Sequence, residues 1–383
     1  KAVRGLEEGE GVGHEFKRGR GDEEMTLRLR IATFNLMTLD DRRELRPSLE
    51  ERIPILRPQL VRLDADILCL QEVYGQHERG KKIRLTALSR LLENTPYEGY
   101  RRVTTIDPGT REVSERHNLV ILSRYDILEH DQYLHEYAPA PCYKKVTAVP
   151  EESEAMPITW QRPILHAKVG LPNGMVVDVI NLHLKSRRPT NIQGHRLPDK
   201  SWKTASGWAE GVFISSMKRI GQALETRILI GKLFDEDPYS LIAVCGDFNE
   251  ELDEVSIEAL RGDVENTGNM NLAMRVLVPT ERNVPEPARY SFLHNGKGKM
   301  LDHILVSRTM LAYFRGTEVH NELLHDTSMV FPERIFYPES DHAPVIAHFE
   351  LPEKRIKRQT EEGEGAGMPV YQDRAVQEAI KQA

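Results

Sequence analysis

Seven apolar runs of strand character, most of them ending in a polar side chain, constrain this chain more than any other feature of it. They are LRLRIATFN, ADILCLQEV, LVILSRYDIL, HAKVGLPNGMVVDVINLHLKS, SLIAVCGDFN, KMLDHILVS and HAPVIAHFEL. Short runs rich in Val, Ile and Leu and bounded by turn residues read as strands, and LPNG at 171–174 is a hairpin signal inside one of them. A stretch of helical period around 205–232 separates NLHLKS from SLIAVCGDFN, with Ala209, Val212, Phe213, Met217, Ile220, Leu224 and Ile228 on one stripe. Nearer the start, Ser48 and Glu51 have capping-box spacing ahead of Leu49, Ile53, Leu56, Leu60 and Leu63, while Pro54 and Pro58 predict a kink or a late start. Strands joined partly by hairpins and partly by helices, with no internal repeat, predict an α/β (α+β) architecture of two packed mixed sheets covered by helices.

With 39% apolar and 29% charged residues in 383, the chain can bury a large core, and nothing interrupts the run of elements. One folded body over 26–352 is expected. Residues 1–25 are polar, Gly-rich and aperiodic and read as a flexible arm, and 353–383 as a charged tail with a short helix at its end. No window approaches the roughly 18 apolar residues of a membrane span, so no transmembrane segment is expected. The N-terminal stretch lacks the apolar centre of a secretory signal, which makes the cytoplasm the default expectation. Only three cysteines occur, Cys69, Cys142 and Cys245, and two of them sit inside apolar runs and read as small buried thiols rather than as partners of a disulfide or a metal. The formal charge of −7 argues against a generic nucleic-acid coat, yet acidic side chains that bind a cation inflate the acid count, so a nuclease stays open.

The polar residues at the strand ends are Asn35, Glu72, His183, Asp247 with Asn249, Asp302 with His303, and Asp341 with His342. In GDFN the alternation of an extended chain puts Asp247 and Asn249 on one side and Phe248 on the other. Carboxylate and amide oxygens suit Mg²⁺ or Mn²⁺, and no Cys/His cluster of finger-like spacing supports structural zinc. Cleaving a phosphate ester takes a cation to offset phosphoryl charge, an activated water and a proton donor for the leaving oxygen. Glu72 is expected to bind the metal, with Asp247 or Asp341 as anionic support. His342 is a candidate base, with Asp302 behind it to hold its tautomer, and His183 a candidate acid or phosphoryl donor. Asn35 and Asn249 would orient the phosphate or the water, and His303 is expected to be structural.

Taken in order, TFN, LQE, NLHLKS, GDFN, LDHILVS and SDHAPV resemble the endonuclease/exonuclease/phosphatase superfamily over about residues 28–350. Each motif alone is weak, but six in the family's order are specific. The resemblance implies a four-layer α-β-β-α sandwich, two mixed β-sheets flanked by helices, with a magnesium site at one edge of the sheets. Carried over, it places Asn35, Glu72 and Asp341 at the metal and His183, Asp247, Asn249, Asp302 and His342 in catalysis. The HLKS form resembles the sphingomyelinase, deadenylase and secreted or bacterial nuclease branches. RHNLVILSRYD and RYSFLHNGKGK depart from the pattern of apurinic endonucleases.

Substrate contacts are expected beside this set. His117 and Asn118 precede the LVILS strand, where a polar pair can either touch phosphate or close a turn. Arg219 and Gln222 follow an RxxQA pattern on the long helix and read as a solvated residue and a packing partner. The stretch 185–203 carries Lys185, Arg187, Arg188, Arg196, Lys200 and Lys203, with Trp202 inside it and Trp208 beyond. It starts directly after the His183 strand end, so it can overhang the site and collect phosphates while a Trp stacks on a base. The leading expectation is a Mg²⁺-dependent nuclease acting on DNA or RNA, with Asn118, Lys185, Arg187 and Arg188 binding substrate. The alternative is a phosphatase or lipid phosphodiesterase acting on a small phosphoester. No feature points to a protein partner.

Overall fold

The structure, a computed structural model, describes residues 26–42, 44–77, 82–329 and 336–353. The arm expected at 1–25 and nearly all of the tail expected at 353–383 lie outside the described residues. Two six-stranded mixed sheets face each other. The first contains β1 (Thr26–Leu39), β2 (Ile67–Val73), β3 (Arg101–Thr104), β4 (Asn118–Ser123), β15 (Phe314–Val319) and β16 (Val345–Pro352), ordered β15-β16-β1-β2-β4-β3. The second contains β5 (Asp126–Tyr133), β8 (Ile164–Gly170), β9 (Val176–His183), β10 (Leu241–Asp247), β11 (Leu277–Pro279) and β14 (Asp302–Ser307), ordered β11-β14-β10-β9-β8-β5. Two short ribbons, β6 (Cys142–Tyr143) with β7 (Met156–Pro157) and β12 (Phe292–His294) with β13 (Lys297–Lys299), lie outside the sheets.

Alternation along the strands builds three apolar layers. Leu29, Ile31, Ile67, Cys69, Leu119 and Ile121 of the first sheet meet Ala167, Val169, Val177, Val179, Ala243, Cys245, Ile304 and Val306 of the second, forming the inter-sheet core. The opposite parity of the first sheet, with Ala32, Phe34, Leu68 and Leu70, packs under α1 (Leu49–Leu63) and α2 (Thr86–Leu92). On the far side, Ile180, Leu182, Ile242 and Val244 pack under α3 (Ala205–Glu236) and α4 (Val255–Arg261). The result is the expected four-layer α-β-β-α sandwich.

Helix α1 begins where its capping box predicts, with the Ser48 amide donating to Glu51 Oε2 at 2.7 Å, so no late start occurs. Pro54 and Pro58 are four residues apart on its exposed face, where the amides they lack would have been the ones nearest water. Leu49, Arg52, Leu56, Leu60 and Leu63 occupy the buried face. The presence of Arg52 among four leucines was not anticipated.

Candidate active site

The inward rows of the inter-sheet core continue past their apolar part into polar residues, and this positions the site. On β1 the row runs Leu29, Ile31, Thr33, Asn35; on β9, Val177, Val179, Asn181, His183; on β10, Ala243, Cys245, Asp247; on β14, Val306, Ile304, Asp302. A buried amide layer comes first. Gln71 Nε2 donates to Thr33 Oγ1 at 3.0 Å and Asn181 Oδ1 at 2.8 Å, and Asn181 Nδ2 donates to the Leu70 and Val120 carbonyls across the sheet gap. Above it the carboxylates and imidazoles collect.

Strand parity alone does not deliver Glu72. Pairing of β2 with β4 shifts between Leu70 and Val73, and Glu72 adopts a left-handed φ of 59°, which turns its side chain inward. A matching irregularity closes β1, where Met37 and Thr38 have φ of 45° and 54°. That bend aims the Thr38 amide and hydroxyl at Glu72 Oε2, at 2.9 and 3.2 Å. Gly246, two residues before Phe248, is required by close approach: a Cβ there would sit 2.1 Å from the Leu182 carbonyl oxygen. Asp247 is thereby pressed against the end of β9.

Asp247 Oδ2 is the centre of the cluster. Asn35 Nδ2 and Asn249 Nδ2 each donate to it at 3.0 Å, His183 Nε2 lies at 3.2 Å and His342 Nε2 at 3.9 Å. Asn249 and Phe248 take the opposite directions expected of them, Phe248 being fully buried beneath α3, though Asn249 gets there through a left-handed turn with φ of 56° rather than by extension. His342 Nδ1 is 2.7 Å from Asp302 Oδ2, and the buried Asp302 Oδ1 has no hydrogen-bond partner among the described residues. Glu72 Oε1 stands 3.8 Å from His183 Nε2.

Burial alone would raise Asp247, but His342, His183 and Arg162 outweigh it and hold the carboxyl well below the usual range. Burial acts the same way on Glu72 and is overcome by His183, Arg162 and His117, so its pKa is lowered. Asp341 is raised, by burial and by the charges of Glu72 and Asp247, despite His342. Among the bases, burial would depress His342, yet Asp302 and Asp247 lift it well above an ordinary imidazole. Burial and then Arg162 depress both His183 and His117, the latter to about 4.

Several largely buried carboxylates, with Glu72 and Asp247 both acting on Asp341, are what a hard divalent ion would relieve. Glu72 and Asp341 therefore fit such an ion by donor chemistry, with Asp247 as further anionic support. Two groups of possible ligands stand out among the described residues: Asp247, Asp302 and His342, and Glu72, His117 and His183.

Residues 33–342 match the sequence profile of the endonuclease/exonuclease/phosphatase family. The chain belongs to this family. Its members are metal-dependent phosphoester hydrolases, and this protein is one of them. Two solved structures from one organism show the same fold at low identity, and a third match is weaker. A family protein from Bacteroides thetaiotaomicron is 15% identical, with a TM-score of 0.51 over 86% of this chain and 96% of that one. A mannosyl-6-phosphatase from the same organism is 15% identical, with a TM-score of 0.51 over 83% and 98%. A 3' phosphatase from Neisseria bound to a product DNA hairpin is 19% identical, with a TM-score of 0.45 over 84% and 99%.

Of the residues that the resemblance implied, Asn35, Glu72, His183, Asp247, Asn249, Asp302 and His342 lie together, and Asp341 is close enough for the charges of Glu72 and Asp247 to act on it. The expected substrate contacts divide. Asn118 is fully buried and spends its amide on the Val73 and Ser114 carbonyls and the Ser114 amide, so it braces the end of β2 and is not presented to a ligand. Lys185 Nζ bonds locally to Ser186 and to the Arg188 carbonyl, and burial followed by Arg162 lowers it to about 8. Arg187 is exposed and ion-pairs with Glu254 at 2.9 Å, while Arg188 is exposed. Trp202 is covered by the Arg196 guanidinium at 3.7 Å, leaving Trp208 as the exposed ring.

One further reading is corrected, and the others find their places. Arg219 is buried, not solvated: it pairs with Glu250 beside the GDFN turn and donates to the Lys185 carbonyl at 3.1 Å. Gln222 Oε1 accepts the Lys185 amide at 2.8 Å. His303 faces away from the site, between Glu281 and the Glu250 carbonyl, as a structural residue. His117 turns inward, its ring 6.1 Å from that of His183 and edge-on to it. Arg162, whose charge acts on Glu72, Asp247, His117 and His183, was missed; its only sequence signal is a cation in WQRPIL immediately before a strand.

Proposed function

We propose that this protein is a Mg²⁺-dependent nuclease that hydrolyses phosphodiester bonds in DNA or RNA, of the HLKS type. The observation that carries the hydrolytic part is the convergence of four nitrogens from four separate segments on Asp247 Oδ2. In this reading Glu72, Asp341 and Asn35 hold the ion, which when bound offsets negative charge on the phosphoryl oxygens. Asp247, fixed by Asn35 and Asn249, stays ionised and orients a water. The Asp302–His342 pair holds a proton at His342 Nε2, next to Asp247, for transfer during cleavage. The Arg162 guanidinium presents donors to the phosphoryl oxygens, while neutral His183 directs its single N–H at Asp247 and helps to keep that carboxylate ionised. Exposed Arg188 and the Lys297-bearing hairpin β12–β13, which bridges Phe292 to His342, supply cationic walls along which a polyanion can run.

A second reading, a phosphatase or lipid phosphodiesterase with the same site, is favoured by the self-contained bonding of Lys185 and Arg187, which leaves less cationic surface for a long substrate. Labelled single- and double-stranded DNA and RNA, incubated with Mg²⁺ or Mn²⁺, separate the two. Degradation that EDTA abolishes is expected. Intact oligonucleotides alongside phosphate or phosphocholine release from small esters would replace the first reading by the second.

A further inference from the structure

Arg52 of α1 is 4% exposed and lies beneath the end of β1. Its guanidinium donates from Nη2 to the Leu36 carbonyl at 2.7 Å and from Nη1 to the Met37 and Thr38 carbonyls at 2.9 and 3.3 Å. From Nε it donates to the Pro338 carbonyl at 3.2 Å. Among the described residues it forms no ion pair. Burying a guanidinium without a carboxylate against it is costly, so the four carbonyls need a reason.

Three successive carbonyls directed at one cation force the intervening amides the other way. The Met37 amide donates to Asn35 Oδ1 at 2.9 Å, and the Thr38 amide to Glu72 Oε2. Met37 and Thr38 both carry a Cβ in the left-handed region, and Thr38 is β-branched, so this bend is strained and persists only where the surroundings hold it. The fourth bond reaches the segment that leads to Asp341, which Ser340 also fastens to β1 by donating to the Asn35 carbonyl at 2.6 Å. One side chain thus ties together residues 36–38 and 338–341, the two pieces of backbone on which Glu72 and Asp341 depend. At longer range the charge of Arg52 acts on Asp341 and Glu72, and on Glu339.

We propose that Arg52 is a positioning residue for the divalent-ion site, fixing the β1 bend and the Asp341 segment so that Glu72 and Asp341 face one ion. The inference rests on the functional reading above. Groups that orient metal ligands from behind typically change ion affinity ten- to a hundredfold. The test is Mn²⁺ binding to metal-free protein, followed by electron paramagnetic resonance without substrate, for wild type, Arg52→Lys and Arg52→Met. Thermal midpoints are recorded in EDTA in parallel. Arg52→Met is expected to bind Mn²⁺ about ten- to a hundredfold more weakly, with Arg52→Lys between, because a single ammonium cannot span carbonyls from both segments. A lowered midpoint with wild-type Mn²⁺ affinity would overturn the proposal, since a merely structural arginine behaves that way. Should Arg52→Met fail to fold, unchanged affinity in Arg52→Lys overturns it equally. Wild type that binds no Mn²⁺ would sink the functional reading together with this one, whereas wild-type binding with unaffected variants sinks this one alone.

Discussion

Asp302→Asn isolates the proton held at His342. An asparagine keeps an oxygen for the Nδ1–H but removes the charge that, with Asp247, lifts this imidazole against the effect of burial. In metal-free wild type, NMR should show His342 losing its proton well above pH 6.5, and in the variant nearer to or below it. The sign of the stability effect follows: a raised pKa stabilises the fold below the unfolded value and the contribution disappears as pH rises through the folded one. Wild type in EDTA should therefore lose stability relative to Asp302→Asn as the solution is made alkaline. Identical titrations in the two proteins would show that Asp302 does not govern His342. Glu72→Gln is the complementary change, because the amide keeps the size and loses the charge. It should bind Mn²⁺ at least tenfold more weakly, since it removes a direct ligand, and equal affinity by calorimetry would remove Glu72 from the ion site.

Helix α3 braces the candidate site although no residue of it enters the cluster. Arg219 links the Glu250 carboxylate, next to the GDFN turn, to the Lys185 carbonyl, and Gln222 holds the Lys185 amide and the carbonyls of Arg162 and His183. Arg219→Ala leaves Glu250 buried without its partner and should cost about 3–5 kcal/mol in denaturant unfolding, while Arg219→Met with Glu250→Leu should cost less. Equal losses in the two proteins would mean that packing rather than charge pairing sets the cost. The sequence showed where strands end and which polar residues stand there, because alternation fixes the inward face before any tertiary contact is known. Asn35, His183, Asp247 and Asp302 were legible for that reason. The bends at Met37, Thr38 and Glu72 were not, since none of these residues is a glycine and their left-handed conformations are imposed by partners distant in the chain. Arg52 and Arg219 were hidden for a related reason: on a helix surface a lone arginine reads as solvated, and only the carbonyls and carboxylate that meet it show otherwise. Asn118 was misplaced because a polar residue before a strand looks the same whether it faces a ligand or braces backbone.

The whole molecule carries a formal charge of −7, so its long-range field opposes a polyanion and any attraction must come from cations within a Debye length of the bound strand, about 10 Å at 0.1 M salt. Few phosphate contacts imply a shallow dependence of affinity on salt. Arg187 is already committed to Glu254 and must give up that pair to reach a phosphate, whereas Arg188 is exposed and, among the described residues, its guanidinium has no such partner. Arg188→Ala should therefore lower the slope of log affinity against log salt by about one, and weaken all sequences alike, while Arg187→Ala should lower it by less. Fluorescence anisotropy with a labelled oligonucleotide, measured on the Glu72→Gln background so that the strand stays intact, reads both slopes. If Arg188→Ala leaves the slope unchanged, the polymer does not run beside the loop that follows His183, and the cationic wall must be sought at the β12–β13 hairpin instead. There Lys297 and Lys299 project from a ribbon joined to His342 through Phe292.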